Sequence, residues 1–100
     1  MAIITKGLAN GTDADGAMWS VSYDYDDVTL ELLSVRCDNS QASIARDVMA
    51  TSTSNPDDSF TFNFAAGQDV IRNVPPGQVG KLNLVVTPSG KLDGVEWHIS

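Results

Sequence analysis

Cysteine occurs once in this 100-residue chain, at Cys37, and histidine once, at His98. A lone cysteine excludes an intrachain disulfide and any paired-cysteine metal site. At its expected buried strand position it reads as a small hydrophobe. A single histidine two residues from the C-terminus leaves no base beside a nucleophile, so enzymatic readings are set aside. Cations are also scarce, with six Lys and Arg against thirteen Asp and Glu and a net charge of −7. Lys6, Arg36, Arg46, Arg72, Lys81 and Lys91 are widely spaced. An anionic field of that kind repels phosphate backbones and anionic lipid, so neither nucleic acid nor a membrane surface is the expected partner. No window approaches the run of about 20 apolar residues that crosses a bilayer. The start, Met1-Ala2-Ile3-Ile4-Thr5-Lys6, has no signal-peptide pattern, and the expectation is synthesis in a cytoplasm without a signal peptide.

What the chain does contain is short apolar alternation. Hydrophobic residues make up 42% of the composition, enough for one core in one domain spanning residues 1–100. Val28-Thr29-Leu30-Glu31-Leu32 alternates with period two, the pattern of a strand with one dry face. After Leu32 the phase slips, and Leu33, Val35 and Cys37 become the apolar set. One regular strand cannot keep both sets inside, so the spacing predicts a β-bulge at Leu32 and Leu33 or a strand covered on both faces.

The remaining segments follow the same rule. Residues 1–9 form an N-terminal arm or edge strand anchored by Ile3 and Ile4. Asn10-Gly11-Thr12-Asp13-Ala14-Asp15-Gly16 reads as a turn. Alternate carboxylates before glycine suggest a calcium loop, but Gly11 and Ser22 stand where that motif needs ligands. The reading is a solvated turn with no metal or cofactor, Asp13 and Asp15 being the candidate ligands. Trp19, Val21, Tyr23 and Tyr25 share one face of the next strand, with Trp19 in the core and Tyr25 a candidate contact residue. For residues 41–54 a helix and a strand both fit. A strand is preferred, hairpinned to the central one, with Ile44, Val48 and Ala50 inward and Arg46 on the same face in need of a partner. Phe60, Phe62 and Phe64 then face one side. Asp69–Val74 gives a short strand before Pro75-Pro76-Gly77. Leu82, Leu84 and Val86 open a final hairpin that turns at Pro88-Ser89-Gly90-Lys91 and returns through Val95, Trp97 and Ile99. Gly77-Gln78-Val79-Gly80-Lys81 lacks phosphate-loop spacing. Asp26-Asp27 and Asp57-Asp58 read as solubilising turns.

The expected fold is all-β, a single antiparallel β-sandwich of seven or eight short strands, immunoglobulin-like or jelly-roll-like. The run Phe60–Gln68 followed by Val74-Pro75-Pro76-Gly77, together with Val35–Asn39, resembles the later strands of immunoglobulin-like or fibronectin-like accessory modules. A small sandwich without a signal peptide is also similar to the stand-alone sandwich proteins of tailed-phage virions that decorate capsids or join tail parts. That resemblance implies a non-enzymatic structural role in the virion, with copies of itself and a capsid or tail as partners, and it brings no site residues. Contacts would run through Ile3, Ile4 and Tyr25. The alternative is a carbohydrate-binding or adhesion module, using Tyr23, Tyr25 and the acidic loops, with calcium as an optional aid.

Overall fold

Among the described residues the alternating segments fold as seven strands: β1 (Ile3–Thr12), β2 (Met18–Asp26), β3 (Leu32–Asp38), β4 (Arg46–Ser52), β5 (Ser59–Phe64), β6 (Asp69–Asn73) and β7 (Val95–Ile99). The computed structural model describes residues 2–75, 77–78, 82, 86–89 and 92–100. The strands form a four-stranded sheet, β1-β2-β3-β6, and a three-stranded sheet, β5-β4-β7, with every pairing antiparallel. Their inner faces meet in one core. Val21, Tyr23, Tyr25, Leu32, Val35 and Cys37 enter it from the larger sheet, and Val48, Ala50, Phe62, Phe64 and Val95 from the smaller. Leu82 and Val86 complete it from the connection between β6 and β7. The chain is therefore an antiparallel β-sandwich. Among the described strands the first, second, third and sixth lie together in the larger sheet.

The predicted bulge is present. Asp24 pairs with Ser34 and Tyr25 with Leu32, so Leu33 is the extra residue, and Leu32, Val35 and Cys37 all reach the core. Upstream the alternation fails. Val28 is 70% exposed, and Leu30 takes a left-handed φ of 62°. The cause is Asp26, whose carboxylate accepts the Val28 and Thr29 N–H groups while its carbonyl accepts that of Leu30. A side chain that satisfies the local backbone competes with the sheet ladder, and here the turn wins.

β1 extends through Thr12, beyond the expected arm, and the turn shrinks to the residues between Asp13 and Ala17. Gly11 lies opposite Trp19, with the indole directly over its Cα: a Cβ there would sit 2.7 Å from the ring. Gly11→Ala is expected to cost about 1–3 kcal/mol by displacing the indole. A chemical-denaturation midpoint that falls while near-ultraviolet circular dichroism at the tryptophan band changes is the expected pair of readings.

Residues 46–52 are a strand, with Val48 and Ala50 buried, but its neighbours differ from expectation. β4 pairs with β5 and β7 rather than with β3, so residues 39–45 cross from one sheet to the other. Ile44, expected inward, stands outside that strand and is 53% exposed. Leu82 is helical, as are Gly77 and Gln78, where Leu82 was expected to begin a strand. Among the described residues of the expected final hairpin, Val86 and Leu92 form an antiparallel bridge. Pro76, Val79, Gly80, Lys81, Leu84, Gly90 and Lys91 lie outside the described residues. Phe62 is buried as expected, whereas Trp19 and Trp97 are half-buried at the margin of the core.

Candidate functional site

Arg46 follows the inward parity of Val48 and Ala50, so β4 carries a guanidinium into one end of the sandwich, where it is 4% exposed. A buried cation persists only when paired and hydrogen-bonded. Its Nη2 donates to the Asp13 carboxylate at 2.6 Å, its Nε donates to Asn39 Oδ1 at 3.2 Å, and its plane lies 4.4 Å from the Trp19 ring. Asn39 is itself fully buried. Its Nδ2 donates to the carbonyls of Ile44 at 2.9 Å and Ala65 at 3.2 Å. Its backbone N–H donates to the Gln68 carbonyl, and its own carbonyl accepts from Ala42 and Gly67. These two side chains fasten the β1–β2 turn, the sheet-to-sheet crossover and the β5–β6 turn to one another.

A surface rides on that frame. Asp15 accepts the Ala17 N–H on one oxygen and the Ser43 hydroxyl on the other, at 3.1 and 2.9 Å. Those two bonds hold its carboxyl below the usual carboxylate range, the Ala17 bond having the larger effect. Around this joint lie three adjoining hollows. The first, about 320 Å³, is lined by β1 and β2 residues with Asp38 and Gln41. The second, about 440 Å³, runs from Asp15 to Met18 and Gln41, and the third, about 220 Å³, lies between Asp13 and Ile44. Met18, 70% exposed, and Ile44 stand beside them.

No protein-family model, curated protein or solved structure matches this chain.

The candidate ligands Asp13 and Asp15 are brought to this end but do not converge. Asp13 turns to Arg46, and Asp15 to Ala17 and Ser43. Among the described residues, no group of three or more His, Cys, Asp or Glu side chains is arranged around a common point. Tyr25 requires a correction, because it is 6% exposed and forms no outer contact surface. It shares the inward parity of Val21 and Tyr23, and its ring centroid lies 6.2 Å from that of Tyr23. Burial, with the neighbouring Tyr25, raises the Tyr23 phenol above its ordinary value. Ile4 is also drawn inward opposite Tyr25, half-buried against the core, while Ile3 on the other face is exposed. His98 sits exposed on β7 with its Nε2 3.8 Å from Glu96. Cys37 is fully buried, and burial raises its thiol pKa. It is expected to resist a disulfide reagent in native buffer near pH 8 and to react at once in denaturant. Rapid native labelling would contradict that placement.

Met18 was not singled out in the sequence, and Ile44 was expected inward rather than exposed. Met18 carried a signal, since its parity is opposite to that of Trp19 and Val21. Ile44 carried none, because the crossover that expels it depends on Asn39 reaching Ala65 across the fold.

Proposed function

We propose that this chain is a non-enzymatic structural module that works by protein–protein contact within a larger assembly, as an accessory protein of a phage particle would. The observation that carries the reading is the division of labour in the side chains. Buried polar groups such as Arg46, Asn39 and Asp26 serve the frame, while Ile3, Met18, Val28, Ile44 and Ile71 stand exposed on hydrogen-bonded strands and turns. Apolar side chains held outward on rigid supports lose little freedom on docking, which favours recognition by shape. The carbohydrate reading loses its platform, because Tyr23 and Tyr25 lie in the core.

The test is sedimentation of a tagged chain produced in its native genetic context. Recovery with a particle far heavier than the 10.7 kDa chain supports the reading. Recovery only at monomer mass counts against it.

A further inference from the structure

We infer that the end of the sandwich bearing Met18, Ile44 and Asp15 docks a protein surface that offers an apolar socket rimmed by Lys or Arg. The inference rests on the reading just given and names the partner's chemistry. Met18 and Ile44 are both exposed; Met18 lines one open hollow with Asp15, and Ile44 lines the next with Asp15 and Ser43. The turn and crossover that carry them are already immobilised by Arg46 and Asn39, so binding requires little further ordering.

Charge selects the occupant. Asp15 is exposed beside these side chains and stays ionised, and Asp38 borders the adjoining hollow. Among the described residues the nearby cations are engaged elsewhere: Arg46 is buried on Asp13, and Arg36 is forked onto Asp69. A second copy meeting this end would set Asp15 against its equivalent, in a chain of net charge −7. The opposite end presents Asp27 and Glu31 around Val28, so a head-to-tail copy would also meet like charge. A partner surface bearing Lys or Arg relieves the field, and steering by opposite charge raises the rate of encounter.

The probe is a synthetic peptide of about ten residues alternating Leu and Lys, an extended ligand of the stated chemistry, followed by backbone amide NMR. A matched Leu–Glu peptide serves as control. The expected result is a set of shifts confined to residues 14–18 and 38–44. Affinity should fall about tenfold or more in Met18→Ser and Ile44→Ser, and also in Asp15→Asn, whose Oδ1 still accepts the Ala17 N–H and whose Nδ2 donates to the Ser43 hydroxyl, so that both partners are kept and the charge is lost. Ile71→Ser, on the outer face of the larger sheet, should bind like the parent. Equal binding of the Leu–Glu peptide, shifts centred elsewhere, or no binding would overturn the inference. So would a dimer in light scattering that Ile44→Ser dissolves, since the occupant would then be a second copy. If the chain sediments with a particle and Ile44→Ser and Met18→Ser do so equally, this surface is wrong and the assembly reading stands. If the parent chain never leaves monomer mass, the assembly reading itself fails.

Discussion

Asp13→Ala is expected to destabilise the fold by about 3 kcal/mol, because it leaves the Arg46 guanidinium buried without its counter-charge. The Asp13 carboxylate is the only anionic partner that Arg46 has within salt-bridge distance among the described residues. What remains, one bond to Asn39 and the face of Trp19, does not replace a full opposite charge in a site closed to water. Against a total stability of about 5–15 kcal/mol, a loss of that size removes a large fraction of the folded state's margin. Arg46→Met should cost less, since it removes the charge with its need for partners and keeps an unbranched apolar chain. The double variant Asp13→Ala/Arg46→Met should recover much of what the single loss removes, with a coupling energy of about 1–3 kcal/mol. Urea midpoints at constant m-value give the comparison. Additive losses would mean that Arg46 is solvated and that the pair is a surface contact.

The second large effect is expected at Asn39. Its amide donates to the carbonyls of two connections that each join one sheet to the other, and its oxygen accepts from the buried Arg46. Asn39→Ala leaves the Ile44 and Ala65 carbonyls and the Arg46 Nε short of partners together, at about 1–3 kcal/mol for each group left unsatisfied. A total loss of about 3–5 kcal/mol follows, with partial relaxation of the crossover reducing the sum. Hydrogen exchange is the sharper readout. Amides of Ala42, Gly67 and Asn39 itself, which close the same joint, should lose protection before those of β2 and β3. Uniform loss of protection across both sheets would show that the joint is no separate unit of stability. Protection left unchanged would remove Asn39 from the frame altogether.

These two residues also mark where reading the chain by period succeeds and where it stops. Val21, Tyr23 and Tyr25 on β2 and Val48 and Ala50 on β4 took the buried side that their alternation required. Phe62 and Phe64 on β5 did the same, and the slip at Leu33 became the bulge that its phase change demanded. Even the requirement that an inward Arg46 find a partner was visible. Which partner it found was not. Asp13 lies thirty-three positions away, in what looked like a freely solvated turn with metal-binding oxygens. Val28 and Leu30 obeyed the alternation as letters and left the strand as residues, because Asp26 offered the backbone nearer hydrogen bonds, its carboxylate to Val28 and Thr29 and its carbonyl to Leu30. Ile44 was expected inside for the same reason of parity and is outside, because the strand begins only at Arg46.

Side-chain period is a local property of the backbone, which turns each successive residue to the opposite face, so the order of residues alone determined the all-β class and the buried faces of β2, β4 and β5. The choice of neighbour for each strand is made by contacts between distant segments. The folded chain alone decided that β4 leaves β3 for the other sheet, that Arg46 and Asn39 lock the crossover, and that Met18 and Ile44 are held out over the acidic turn. A hydrogen bond between residues 39 and 65 depends on the closure of everything between them, and no window of the sequence contains both ends of it.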